Sequence, residues 1–277
     1  MSNIVPAALS GGIMEYDESV AAHYGSGGTL ERLLSLVRDA GGDPEHFAPA
    51  ALRGTDQLHI GGPAATSRVA ERAGIGPGTR VVDIGSGLGG VARHLAGDCG
   101  ATVHGVDLTA EFVAAATDLT QRTGLAGSVE FTQGSALDLP FTDALFDAAV
   151  VIHVGMNIRD KDRMFAEAAR VLRPGGVLAV YDVMLLGGDV EVYPLPWATT
   201  PQTSFPQPPL AYSDSMGQAG LEVDREAKTL AEGIEFLERA LNGGGPVGLD
   251  RAALGNLLEA FRAGLLAPVE IYAHRVG

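Results

Sequence analysis

Val81-Val82-Asp83-Ile84-Gly85-Ser86-Gly87-Leu88-Gly89-Gly90 sets a short apolar strand, Arg80–Ile84, against a glycine-rich turn, and a helix follows through about Leu95. Downstream the same alternation repeats. Ala101–Val106 reads as a second strand, and Thr109 caps a helix that Gly124 closes. Val129–Thr132 is the third strand and Asp147–Ile152 the fourth. Asp160 caps a helix running to Leu172, and Arg173-Pro174-Gly175-Gly176 turns into a fifth strand, Val177–Val183. Strands alternating with helices of this length predict an α/β fold with a parallel, doubly wound sheet and right-handed crossovers.

The flanks differ from this core. Leu30, Leu33, Leu34 and Val37 recur at helical spacing until Gly41-Gly42. Asp43-Pro44 fits the cap and first position of another short helix, and residues 64–73 form a third. After strand five, the proline-rich stretch 187–210 reads as an ordered loop over the sheet edge. Two late strands, Leu221–Glu226 and Val269–Arg275, bracket helices near 230–241 and 250–264. The whole of 1–277 is expected to form one domain, with a helical lid at 14–66, a cofactor-binding core at 67–183 and a substrate side at 184–277.

Gly85 and Gly87 let a bulky ligand approach the backbone, and the helix behind them offers free N–H groups. Asp107 closes strand two, 22 positions after Gly85, where its carboxylate can accept hydrogen bonds from both hydroxyls of a ribose. Gly85, Gly87 and Gly90 also satisfy the dinucleotide pattern G-x-G-x-x-G, a weak signal alone. Asp83 separates the two readings. It stands two residues before the first glycine, where a pyrophosphate would meet like-charge repulsion. S-adenosylmethionine carries a sulfonium and an ammonium and no phosphate, so an acid there favours it.

With these motifs the chain resembles class I S-adenosylmethionine-dependent methyltransferases, in particular those acting on sarcosine and dimethylglycine and, more distantly, the phosphoethanolamine methyltransferases. Besides the glycine motif, the resemblance rests on Asp56-Gln57-Leu58-His59-Ile60-Gly61-Gly62, on Ile152-His153-Val154-Gly155-Met156-Asn157-Ile158, and on Tyr193-Pro194-Leu195-Pro196-Trp197-Ala198 with Ser204-Phe205. It implies a Rossmann-like seven-stranded sheet closed by antiparallel strands. It further implies S-adenosylmethionine contacts from Gln57, His59, Asp83, Gly85, Ser86, Gly87, Asp107, Leu108, Ser135, Ala136 and Leu137. Two positions depart from the family. Ser135 stands where an Asp usually accepts from the adenine amino group, and Gly155 where relatives commonly carry Gln.

His153 leaves strand four at the carboxyl edge, where open parallel sheets bind ligands, and is the candidate catalytic base. Tyr16 resembles the tyrosine that pairs with such a histidine in the phosphobase enzymes. Trp197, Tyr193 and Phe205 form either an aromatic wall for the substrate or the loop's own small core. His94 and His104 read as structural. The histidines lack the H-x-x-x-H and H-E-x-x-H spacings, so no metal is expected.

The remaining sequence bounds function by exclusion. A formal net charge of −15 repels phosphate backbones, so no nucleic-acid partner is expected. No apolar run approaches the ~18 residues of a membrane span, and MSNIVPAALSGG has no basic n-region. Cys99 is the single cysteine, which suits a cytoplasmic enzyme. Oligomeric state is not legible. The expected acceptor is a small molecule, first a small amine of the sarcosine or dimethylglycine type. The alternative is a carbon or oxygen acceptor of natural-product type, and a less favoured one a non-catalytic binding module. Residues 176–224 contain no Lys or Arg, which disfavours prenyl diphosphates and weakens the dimethylglycine reading, unless Arg53 or Arg159 meets the anion.

Overall fold

The structure, a computed structural model, describes residues 28–52, 55–244 and 250–277. The described chain begins with α1 (Thr29–Asp39) and α2 (Gly62–Arg72). Then come β1 (Arg80–Ile84), α3 (Gly90–Cys99), β2 (Thr102–Asp107), α4 (Ala110–Arg122), β3 (Val129–Gln133), β4 (Phe146–Ile152), α5 (Lys161–Val171) and β5 (Leu172–Leu185). It closes with α6 (Pro209–Gln218), β6 (Leu221–Lys228), α7 (Leu230–Arg239), α8 (Arg251–Arg262) and β7 (Leu266–Arg275). The seven strands form one sheet in the order β3-β2-β1-β4-β5-β7-β6. β1 to β5 run parallel, and β7 inserts antiparallel between β5 and β6.

The central strands are apolar on both faces, as a sheet covered twice requires. Val82, Ile84, Ala149 and Val151 pack with Met164, Phe165 and Ala168 of α5 and with Tyr212 and Met216 of α6. Val81, Val150 and Ile152 pack on the opposite face with Val69 of α2 and with Val91 and Leu95 of α3. Leu33, Leu34 and Val37 of α1 pack with Phe112, Ala115 and Leu119 of α4. A separate apolar cluster joins α7, α8 and the loop segment Leu195–Ala198.

Three expectations change. Asp43-Pro44 starts a turn and no helix: the Asp43 carboxylate accepts from Glu45 N–H, and Phe47 N–H bonds Arg122 O, drawing the chain off a helical path. Strand five begins at Leu172, immediately after α5, because Leu172 already pairs with Phe146. Helix α6 was not legible, since PLAYSDSMGQ has a weak amphipathic pattern and follows the proline-rich loop; Pro209 at its first position suits its start.

Arg93 links the pre-sheet segment to the sheet. It is 1% exposed, and its guanidinium donates to Asp56 Oδ2 at 2.8 Å, to Leu88 O at 2.7 Å, and to Ala116 O and Thr120 Oγ1. Gly90 makes the approach possible, since a Cβ there would overlap Asp56 O. Replacing Asp56 with Ala leaves a buried cation without its counter-charge, and urea unfolding should record a loss of about 3–5 kcal/mol. The double variant Asp56→Leu/Arg93→Met should lose much less than the sum of the single changes.

Candidate functional site

The chain leaves β1 toward β2 on one side and returns after β3 to place β4 on the other. This reversal opens a crevice at the carboxyl ends of the strands, the usual ligand site of such sheets. A cavity of about 240 Å³ lies there, lined from one pole by the turns after β1, β2 and β3, and from the other by the β4 exit, the 195–197 loop and helices α7 and α8.

At the first pole, Asp107 Oδ2 accepts from Gly87 N–H and Oδ1 from Thr109 N–H, both at 2.8 Å. These bonds fix the carboxylate at the cavity wall while leaving each oxygen a further lone pair. Burial nonetheless raises its pKa. Ser86 also lines the cavity, and its buried hydroxyl has no partner among the described residues. Leu108, Phe112, Ala136 and Leu137 form an apolar slot beside Asp107. Ser135 lines the same end, but its hydroxyl accepts from Leu137 N–H at 3.2 Å and so closes its own turn.

Asp83 sits differently from expectation. It is 2% exposed, does not line the cavity, and lies beneath the glycine turn, accepting from the backbone of Ala92. Burial, then the neighbouring Asp107, push its pKa up to about 7. Its Oδ2 has no partner among the described residues. Its carboxylate is therefore set apart from the cavity and can reach a ligand there only through its charge.

The pre-sheet segment covers this pole. Gln57 and His59 both line the cavity. Thr66 Oγ1 donates to Gln57 Oε1 at 2.7 Å, and His59 Nε2 donates to Gly62 O at 2.9 Å. That carbonyl can only accept, so it fixes the Nε2–H tautomer of His59, whose pKa burial lowers to about 4.

At the second pole, His153 lines the cavity with a positive φ of 55°, a conformation costly for a non-glycine residue and common at functional sites. Its N–H bonds Tyr181 O at 2.8 Å. Its Nε2 is buried with no partner among the described residues. Burial, then His59 at 6.0 Å between ring centroids, hold it neutral by lowering its pKa well below 6.5. Of the three loop aromatics, only Trp197 lines the cavity. Tyr193 packs into the α7–α8 cluster, and the Phe205 ring lies under the Arg159 guanidinium at 4.8 Å. Tyr16 and Arg53 lie outside the described residues.

Gly155 has a steric reason. A Cβ there would overlap the Asp182 carboxylate and the Tyr212 hydroxyl, which bond each other at 2.8 Å. Beside them, buried Lys161 donates from Nζ to the carbonyls of Gly155, Ile158 and Phe205, tying the β4 exit to the substrate-side loop. Sequence reading missed Lys161 and also Phe112, Phe236, Leu237, Leu254 and Leu257 of the lining. The helical periodicity of the last four was visible, but nothing in it indicated which apolar positions meet a cavity instead of core.

A seven-stranded sheet of this order, with a glycine turn, an acid at the end of β2 and a buried acid under the turn, has the class I S-adenosylmethionine-dependent methyltransferase fold. Residues 82–180 match the methyltransferase domain family, and the chain carries such a domain. It is similar to Methyltransferase GfsG of Streptomyces halstedii, 36% identical over 132 residues, 48% of this chain and 48% of that protein. The match thus spans about half the length of that relative. The geranyl diphosphate C-methyltransferase of Streptomyces coelicolor A3(2) superposes with a TM-score of 0.72 at 19% identity, over 94% of this chain and 98% of that one. Phosphoethanolamine N-methyltransferase 2 of Haemonchus contortus gives 0.65 at 20% identity, over 80% and 54%. Among the described residues no helix is long and apolar enough to cross a membrane.

The residues fit S-adenosylmethionine: Asp107 for the ribose, the Leu108–Phe112–Leu137 slot for the adenine, the unpartnered Ser86 hydroxyl for the methionyl end, and Asp83 for the positive charge. Asp107→Ala should remove two charge-assisted bonds and lower affinity at least about tenfold by calorimetry. The pKa of Asp83 gives a second prediction. At pH 6 it is mostly protonated and at pH 8 mostly ionised, and a cation prefers the ionised form. Affinity for S-adenosylmethionine relative to the uncharged-sulfur S-adenosylhomocysteine should therefore rise from pH 6 to pH 8, by about tenfold per unit of pKa lowered on binding. Asp83→Asn should flatten that rise.

Proposed function

We propose that this chain transfers the methyl group of S-adenosylmethionine to a small molecule, with His153 as the general base. The carrying observation is the His153 imidazole: neutral, held in a costly backbone conformation, and presenting to the acceptor pole a ring whose Nε2 has no described partner. When bound, S-adenosylmethionine supplies a methyl group activated by its positive sulfur. Asp107 and the glycine turn hold the ribose, Ser86 meets the methionyl end, and the buried Asp83 favours the cationic form over the product. His153 takes the acceptor's proton, and Tyr16 closes over or orients the imidazole. The lone cysteine suits work in the cytoplasm.

A base is required for an oxygen or carbon acceptor and is superfluous for a neutral tertiary amine. The unpartnered imidazole thus favours the oxygen or carbon acceptor over the dimethylglycine type. The deciding experiment is a tritiated-methyl transfer screen over phenols, terpenoids, sarcosine, dimethylglycine and phosphoethanolamine, followed by kinetics of His153→Ala and Tyr16→Phe. His153→Ala should lower kcat by ~10²–10⁴ with cofactor affinity intact, and the double variant should show non-additive loss. Because the histidine pKa lies well below 6.5, the wild-type rate should show no acid limb near that pH. Wild-type kcat in His153→Ala would overturn the assignment.

A further inference from the structure

We infer that the acceptor is an uncharged molecule with a hydrocarbon body, seated against α7 and α8 with its reacting O–H or acidic C–H at His153. This inference rests on the methyltransferase reading above and adds the substrate class.

The first argument is a complete account of positive charge. The chain has 19 Lys and Arg, and none lines the cavity. Those nearest the site are engaged: Arg93 with Asp56, Lys161 with three carbonyls, Arg68 and Arg72 with the fully buried Glu270. Residues 1–27 and 245–249 contain no Lys or Arg in their sequence, so Arg53 is the single cation outside the described residues. A buried carboxylate, phosphate or diphosphate needs paired donors. Arg159 follows the lining residue Ile158 but stacks on the Phe205 ring at 4.8 Å and does not line the cavity, which leaves at most Arg53 and Arg159 to meet an anion in a chain whose formal net charge is −15. Among the described residues no three His, Cys, Asp or Glu side chains gather to hold a cation that would bridge to a diphosphate.

The second argument is the wall itself. Ile60, Met156, Trp197, Phe236, Leu254 and Leu257 face the acceptor pole. Trp197 is 3% exposed and donates its Nε1–H to Ser204 Oγ at 3.0 Å, so its indole donor is already used and the ring offers apolar surface. Covering such a wall with hydrocarbon is favourable by roughly 25 cal/mol per Å², whereas a charged group would lose its hydration without a partner. The described carboxylates at the cavity are Asp56, paired with Arg93, and Asp107, committed to the cofactor pole, so a cationic acceptor finds no counter-charge in these walls either. In the reaction the acceptor's proton goes to the His153 imidazole. Its electron pair forms the new bond to the methyl carbon as the carbon–sulfur bond breaks toward sulfur. The proton then passes from the imidazole to solvent.

Trp197 is the only tryptophan and lines the acceptor pole, so its fluorescence reports occupancy there. The test titrates decanol, decanoate, decyl phosphate and decylamine into the full chain saturated with S-adenosylhomocysteine, whose own affinity is measured first by calorimetry. Decanol should perturb the emission with an affinity at least about tenfold tighter than each charged analogue. Leu257→Lys should keep S-adenosylhomocysteine binding and shift preference toward decanoate, while Leu257→Met should keep the wild-type order. Equal or tighter binding of decanoate, decyl phosphate or decylamine would overturn the inference, as would no response to decanol while S-adenosylhomocysteine binds. A preference for decanoate lost in Arg53→Gln would identify Arg53 as an anion site and overturn it too. Failure to bind S-adenosylhomocysteine would instead strike the methyltransferase reading.

Discussion

The buried Arg93–Asp56 pair holds the cofactor pole together. A guanidinium removed from water needs a counter-charge and hydrogen-bond acceptors, and the two terminal nitrogens of Arg93 reach the pre-sheet segment, the carbonyl of Leu88 in the glycine turn and the body of α4, while its Nε meets no partner among the described residues. Each of these elements contributes to the cavity: Gln57 and His59 from the first, Ser86 and Gly87 from the second, Phe112 from the third. One cation therefore sets the spacing of three walls that are distant in sequence.

The two poles are electrostatic opposites. Under the glycine turn, burial and then the neighbouring Asp107 disfavour ionisation of Asp83, and burial raises the pKa of Asp107. Across the cavity stands His153, kept neutral by burial and by the neighbouring His59 of the covering segment. A cation is favoured at one end and a neutral base is available at the other, an arrangement suited to passing a methyl group from a positive donor to an acceptor that must lose a proton.

The family match covers residues 82–180, from β1 to most of β5, which carry the glycine turn, Asp107 and His153 but not the pre-sheet segment. The acceptor pole takes much of its wall from the 195–197 loop, α7 and α8, all beyond that segment. Structures that share most of this fold at 19–20% identity carry names as different as geranyl diphosphate C-methyltransferase and phosphoethanolamine N-methyltransferase. A shared fold therefore does not fix the acceptor.

The alternation of strand and helix from Arg80 to Val183, the glycine turn, Asp107 at the end of β2 and His153 at the end of β4 were all legible in the sequence, because period, glycine spacing and strand ends are local properties of the chain. The depth of Asp83, the commitment of Trp197 Nε1 to Ser204, the turning away of Tyr193 and Phe205, and the Lys161 tie between three carbonyls were not. Each depends on how the elements and loops pack in three dimensions. Gly155 illustrates the difference: its sequence position marked a departure from relatives, and only the packing of Asp182 and Tyr212 against its Cα gave the reason. Local sequence determined which backbone edges form the crevice. Tertiary packing decided which side chains reach it, because burial and hydrogen-bond partners exist only once the elements have docked.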